Sequence, residues 1–189
     1  MAPMQAAHPR VSYADLERWP DDGRRYELYD GEVYVIPSPL LIHQVVSGRL
    51  HLALSEYVRV HGGTVLFAPL DIVLTEYDVV QPDLLVFTRE REHLLNLRKV
   101  TRVPPDLAIE ILSPSTASND RGRKMSLLGR HGVKEYWLVD PDRPSIEIYI
   151  LTGSGLALAQ TAAGGEHVRS RLLPALKLAP IDIVPSTTQ

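Results

Sequence analysis

The sequence predicts an α/β domain built on a central mixed β-sheet flanked by helices, with an N-terminal β-hairpin, and three features carry that expectation. Two nearly continuous apolar runs, at 84–87 and 107–112, each follow a Pro-Asp pair and suit strands covered on both faces at the centre of a sheet. Between residues 41 and 60 the side chains Ile42, Val45, Val46, Leu50, Ala53, Leu54, Tyr57 and Val58 recur at helical spacing. Near the start, Asp30-Gly31 separates two short apolar stretches and favours a tight hairpin, because both positions tolerate positive φ.

A length of 189 residues allows one core with a small decoration rather than two cores. Residues 1–12 read as a flexible lead-in, 13–184 as a single domain and 185–189 as a tail. The hairpin strands fall at 26–28 and 33–36. Pro37-Ser38-Pro39 breaks the second of them, and a helix of about five turns then runs to the Gly62-Gly63 stop. Residues 64–74 form one or two strands broken at Pro69, with a turn at 76–78. Between the two core strands, the segment 89–102 carries Arg89, Arg91, Arg98, Lys99 and Arg102 and is expected to cross a sheet edge as a polar excursion. Ser113-Pro114-Ser115-Thr116 is rich in capping side chains and precedes a helix over 119–130, which Gly132 ends. Asp140-Pro141-Asp142 joins strands at 135–139 and 145–151, and beyond Gly153 the signal fades into weaker strands and a Pro-punctuated end.

Composition narrows the function classes. Hydrophobic residues at 44% and charged residues at 23% are ordinary for a folded domain, and the net charge of −3 excludes a globally basic nucleic-acid protein, so any phosphate contact must come from a local patch. With no cysteine there is no disulfide framework, thiolate zinc site, iron–sulfur cluster or cysteine nucleophile, which suits a reducing cytosol. The first ten residues lack the apolar core of a signal peptide, and the uncharged stretch 148–165 is short of the roughly 20 apolar residues that span a bilayer. A cytoplasmic protein without a membrane partner is expected. The G-x4-G-K-[S/T], G-x-G-x-x-G and G-x-S-x-G patterns are absent, which removes support for kinase, dehydrogenase and serine-hydrolase chemistry. His43, His51 and His61 lack the spacing of a zinc site.

Two carboxylates stand where their surroundings do not welcome them. Asp83 opens Asp-Leu-Leu-Val-Phe, and Glu110 sits inside Leu-Ala-Ile-Glu-Ile-Leu. An ionised carboxylate on a buried strand costs several kcal/mol unless it is paired or bound to a cation. A magnesium ion held by oxygen ligands is one partner; an Arg or Lys counterion, or a solvated sheet face, is the other. Asp120 and Lys124, four apart on a helix, are explained equally by an exposed ion pair. Tyr136 and Trp137 lie in a strand pattern and read as core or interface residues.

Five motifs occur in order: Tyr26-Glu-Leu-Tyr-Asp-Gly-Glu, Val80-Gln-Pro-Asp83, Glu110-Ile-Leu-Ser-Pro-Ser-Thr116, Asp120-x3-Lys124 and Gly132-Val-Lys-Glu-Tyr-Trp-Leu-Val-Asp-Pro141. Together, over roughly residues 16–151, they resemble the restriction endonuclease (Uma-two) family of the PD-(D/E)XK nuclease superfamily. The resemblance implies a restriction-endonuclease-like core that presents an Asp and a Glu, here Asp83 and Glu110, to a divalent cation. Leu112 stands where the superfamily pattern has its lysine, and the family's lysine from the following helix corresponds to Lys124. Glu27 and His43 also match family positions. Glu27 supplies a third carboxylate or positions a water, against an exposed strand residue paired with Arg24 or Arg25; His43 orients Glu27 or a phosphate, against a capping or packing role.

The expected function is therefore a Mg²⁺-dependent endonuclease, with Mn²⁺ as the other candidate ion, hydrolysing phosphodiester bonds in DNA. Asp83, Glu110 and the Ile111 carbonyl would hold the metal, Lys124 would stabilise developing negative charge, and Arg121 and Arg123 would contact phosphates. The Asp83 and Glu110 carboxylates should then come within about 4 to 6 Å in one cleft, with at least one pKa raised. A homodimer is the expected assembly. The competing readings are an inactive nucleic-acid or protein-binding module of the same fold, and a structural homo-oligomer whose surface uses Tyr136, Trp137 and the late strands.

Overall fold

The computed structural model describes residues 10–186. Strands β1 (Arg25–Tyr29) and β2 (Glu32–Ile36) form the N-terminal hairpin, with Asp30 and Gly31 both at positive φ, 53° and 79°. A Cβ at Gly31 would lie 2.6 Å from that of Arg10, so glycine also serves the close approach of the preceding segment. Helix α2 (Leu41–His61) follows a short α1 (Tyr13–Leu16) in chain order and ends at Gly62, φ 82°. Then come β3 (Thr64–Phe67), β4 (Ile72–Thr75), β5 (Asp78–Val80), β6 (Leu84–Phe87) and β7 (Leu107–Ile111). Helical residues α3 (Ala117–Asn119), a π turn (Asp120–Lys124) and α4 (Met125–Arg130) lead to β8 (Glu135–Asp140), β9 (Ser145–Thr152), β10 (Gly155–Ala163) and α5 (Pro180–Ile183).

The strands make a six-stranded sheet in the order β10-β9-β8-β7-β6-β3 and a four-stranded sheet in the order β2-β1-β5-β4. Among the strands of the described residues only the β7–β8 pair is parallel, and the α3–α4 segment is the crossover that this pairing requires. Alternation along β7 sorts its side chains between two layers. Leu107, Ile109 and Ile111 join Val46, Leu50 and Leu54 of α2, while Ala108 joins Leu85, Phe87, Leu127, Leu128, Tyr136 and Leu138 on the α4 side. Each such fully buried aliphatic side chain stabilises the fold by about 1.5–3 kcal/mol. Glu110 has the parity of Ala108 and so faces α4.

Several expectations change. Residues 10–12 belong to the fold: the Val11 N–H donates to the Gly31 carbonyl at 2.9 Å, and Ser12 forms a capping box with Asp15 at the start of α1. Residues 1–9 and 187–189, the rest of the lead-in and tail, lie outside the described residues. Thr116 makes no side-chain cap to the crossover helix; the hydroxyls of Ser113, Ser115 and Thr116 bond one another instead, at 3.0–3.1 Å. The weaker strand signal after Gly153 is realised as one nine-residue strand, β10, an edge strand with a bulge between Leu158 and Gln160 and many exposed side chains. Tyr136 and Trp137 are fully buried, so the oligomer surface expected to use them cannot do so. No helix among the described residues is long and apolar enough to cross a membrane.

Two buried carboxylates fasten loops to the sheet. Glu135 accepts from the Trp137 indole N–H, the Ser170 hydroxyl and the Arg171 and Leu172 N–H groups, which pins the segment after β10. Asp106 accepts from Arg91 at 3.0 Å, Lys134 at 2.8 Å and the Thr88 N–H and hydroxyl, closing the 89–102 excursion. Burial works to raise the Asp106 pKa, but the hydrogen bonds from Lys134, Thr88 and Arg91 outweigh it and hold the carboxyl below the ordinary value of 3.8. A depressed carboxyl stabilises the fold above its unfolded pKa, and that contribution is lost as pH falls through the folded value. Asp106→Asn is expected to cost about 2–3 kcal/mol in urea unfolding at pH 7, with the gap to wild type narrowing below about pH 3. A gap that is equal at both pH values would contradict this.

Candidate active site

Five elements deliver side chains to one cleft of about 270 Å³. Glu27 and Tyr29 are two apart on β1 and share a face, where the Tyr29 hydroxyl donates to Glu27 Oε2 at 2.7 Å. The other Glu27 oxygen accepts the Gln81 N–H at 2.8 Å. Asp83 stands one residue before β6 and Glu110 one residue past the Leu84–Ile109 register pair, so continuing the register sets them opposite one another. Asp83 Oδ2 accepts the Ile111 N–H at 2.8 Å and lies 3.0 Å from His43 Nε2, in the first turn of α2. An ionised Asp83 makes Nε2 the protonated ring nitrogen, leaving Nδ1 as a buried acceptor without a partner.

Lys124 enters from the opposite side. Its Nζ lies 2.8 Å from Glu27 Oε1, 2.8 Å from Glu110 Oε1 and 4.0 Å from Asp120 Oδ1. The exposed ion pair read from the Asp120–Lys124 spacing is thus corrected: both residues are buried, at 2% and 3% exposure. Packing makes the difference: the segment, a π turn of the kind that recurs at functional sites, turns Lys124 onto Glu27 of β1 and Glu110 of β7. Glu27 is likewise buried and pairs with Lys124, not with Arg24 or Arg25. His43 orients Asp83, not Glu27.

Charge is unbalanced in this cleft. Glu27, Asp83, Glu110 and Asp120 gather around one buried ammonium and one imidazole, with the Arg25 guanidinium on the cleft wall. Desolvation raises the Glu110 pKa well above the carboxylate range; Lys124 opposes the shift, and Asp83, Asp120 and Glu27 add to it. Desolvation also pushes Asp120 up to about 6, again against Lys124. Burial alone would lower the Lys124 pKa, but the facing Glu110 and Glu27 carboxylates raise it above the ordinary lysine value, so the ammonium stays charged.

This arrangement fits a divalent cation. Lys124 Nζ is close to Glu110 Oε1, but its direction leaves that buried oxygen without a hydrogen-bond donor. Asp83 takes both of its hydrogen bonds on Oδ2. In an extended strand the N–H and C=O of one residue point to the same side, which turns the Ile111 carbonyl toward Asp83 as well. Among the described residues no three Asp, Glu or His side chains form a ready cage. An ion would therefore rest on Asp83, Glu110, the Ile111 carbonyl and water, a set suited to Mg²⁺.

The sequence-predicted residues do not all meet. Asp83, Glu110, Ile111, Lys124, Glu27 and His43 line the cleft, whereas Arg121 and Arg123 do not. Arg121 pairs with Glu147 at 2.5 and 2.9 Å, and Arg123 with Glu32 at 2.6 Å. Four residues escaped the sequence reading. Tyr29 was detectable as the same-face neighbour of Glu27, and Gln81 from its place beside Pro82-Asp83. Asn119, whose amide donates to the Tyr29 hydroxyl at 2.8 Å, and Arg25, on the cleft wall, left no local signal.

The Uma2 family model, described as "Putative restriction endonuclease", matches residues 13–181. A protein of Synechocystis sp., described as "Uncharacterized protein slr1290", is 28% identical over 151 residues, 76% of each chain. A crystal structure from Anabaena variabilis, described as "a putative nuclease belonging to DUF820", superposes with a TM-score of 0.76 at 18% identity, covering 92% of this chain and 97% of that one. At that identity the likeness shows a shared fold.

Proposed function

The chain belongs to the Uma2 restriction endonuclease family, and from that premise we propose that it is a Mg²⁺-dependent endodeoxyribonuclease, with Mn²⁺ able to substitute, acting in the Asp83–Glu110 cleft. The observation that carries this reading is the convergence of Lys124 Nζ on Glu110 and Glu27, 2.8 Å from each, in the cleft that Asp83 and His43 also line. Asp83, Glu110 and the Ile111 carbonyl would hold the ion. When bound, it supplies Lewis acidity toward the phosphate and toward water. Lys124 keeps its proton and offers ammonium hydrogen bonds to the negative charge that develops on the phosphate oxygens. Glu27 holds that ammonium in place and is itself fixed by Tyr29 and the Gln81 N–H. His43 and the Ile111 N–H fix the Asp83 carboxylate, which, already oriented, would hold a cation.

The test is incubation of the purified chain with supercoiled plasmid and Mg²⁺, Mn²⁺ or EDTA. Nicking and linearisation that need the divalent ion are expected. Intact plasmid with either ion, alongside retained DNA binding, would replace the enzyme by the inactive binding module.

A further inference from the structure

We infer that a second cleft, opening off the carboxylate site, is a subsite for one unpaired nucleotide of single-stranded DNA, with the Phe67 ring as stacking platform and Arg25 as phosphate contact. The inference rests on the endonuclease reading and names the substrate form that this site accepts. The second cleft encloses about 320 Å³ and shares Arg25, Pro39, His43 and Asp83 with the first, so a nucleotide lying in it is continuous with the reacting phosphate. Its wall includes Phe67, the last residue of β3, which remains 57% exposed although it is a large apolar side chain. His51 meets that ring steeply, at an interplanar angle of 75° with 4.8 Å between centroids, and so supports the ring without stacking over it. Gln44 and Ser47, three apart on α2, bring an amide and a hydroxyl to the same cleft, groups suited to a base edge.

Arg25 completes the site. It lines both clefts and enters none of the ion pairs among the described residues, whereas the adjacent Arg24 pairs with Asp22 at 3.7 Å. With Arg121 and Arg123 neutralised by Glu147 and Glu32, Arg25 is the arginine left to meet a phosphate at the cleft. Single-stranded DNA, including the stretches that negative supercoiling opens in a plasmid, follows from depth. Glu27, Glu110 and Lys124 are each less than 5% exposed, below the rim that a rigid duplex would rest on. An aromatic platform also gains an unpaired base freely, while a paired base must first be unstacked.

The experiment is fluorescence anisotropy of a labelled mixed-sequence oligodeoxynucleotide, single-stranded and as duplex, without divalent ion and over a range of salt. Wild type should prefer the single strand. Phe67→Ala should weaken that binding by roughly 5- to 100-fold with an unchanged salt slope, and Phe67→Trp should retain it. Arg25→Gln should reduce the slope of log affinity against log salt by about 0.7, one phosphate's worth on a single strand. Melting temperatures establish that each variant is folded. Unaltered single-strand affinity in folded Phe67→Ala, or equal losses on duplex and single strand, would overturn the subsite. Binding that behaves as expected in a chain that never cleaves would refute the endonuclease reading and leave the subsite standing, whereas cleavage with Phe67→Ala binding like wild type would refute the subsite alone.

Discussion

Glu110→Gln is expected to abolish divalent-ion binding and to lower plasmid cleavage by about 10³-fold or more, while leaving the protein at least as stable as wild type. The loss of activity follows from replacing a ligating carboxylate by an amide of nearly the same shape, since metal stabilisation of transition-state charge is worth several kcal/mol and each 1.36 kcal/mol is about tenfold in rate. The stability has a separate origin. Desolvation holds the Glu110 pKa well above the carboxylate range. A carboxyl raised on folding contributes stability that is fully present below its unfolded pKa and lost as pH rises through the folded value. At neutral pH folding without metal must therefore hold on Glu110 a proton that the unfolded chain has released, and the amide removes that burden. Calorimetry with Mn²⁺ and thermal melts at pH 5 and pH 8 check both halves, with any advantage of the variant growing toward pH 8. A variant that binds Mn²⁺ like wild type and melts well below it would make Glu110 a counterion of Lys124 and nothing more.

That prediction begins from an anomaly visible in the chain itself. A Glu between two Ile on a strand of period two is out of place before any coordinates exist, and the hairpin and core strands were legible for similar local reasons. Asp30-Gly31 dictates its turn through backbone sterics alone, and the runs at 84–87 and 107–112 are apolar enough to exclude a half-solvated strand. What stayed hidden depends on long-range partners. The spacing of Asp120 and Lys124 sets them on one helix face without saying whether that face is solvated, and only its packing against Glu27 and Glu110 decides that it is buried. Glu27 looks exposed until Lys124 arrives from a distant segment to neutralise it. His43 finds Asp83 because α2 and the end of β6 meet in space, which periodicity along either element does not reveal. Arg121 and Arg123 looked like phosphate contacts because their carboxylate partners, Glu147 and Glu32, lie far from them in the chain. Composition left β10 only a weak strand signal, because Ala, Gly and Thr at a sheet edge blur the pattern without preventing pairing to β9.

Lys124→Met is expected to lose cleavage by about 10²-fold or more and also to destabilise the protein by about 3–5 kcal/mol, because it strands Glu27 and Glu110 in a buried site without their cation. Lost activity in an unstable variant would say little about chemistry, so the decisive comparison is made in a Glu27→Gln background. There one of the two carboxylates facing the ammonium is already neutral, and its amide oxygen can still accept from the Gln81 N–H while its amide NH2 turns to the Tyr29 hydroxyl oxygen as donor. Adding Lys124→Met to Glu27→Gln should then cost much less stability than it does in wild type, a coupling of several kcal/mol between two residues in direct contact. The rate should behave differently. If Lys124 stabilises charge on the reacting phosphate, its removal still costs about 10²-fold in single-turnover cleavage in the Glu27→Gln background, with Mn²⁺ affinity nearly unchanged. If its role is only to neutralise the buried carboxylates, the second substitution costs no rate, and stability only as far as Glu110 is left without its ammonium. Urea unfolding and single-turnover cleavage of the four proteins, wild type, both single variants and the double, separate these outcomes, since only a lysine that touches the reaction lowers the rate after its structural partner has gone.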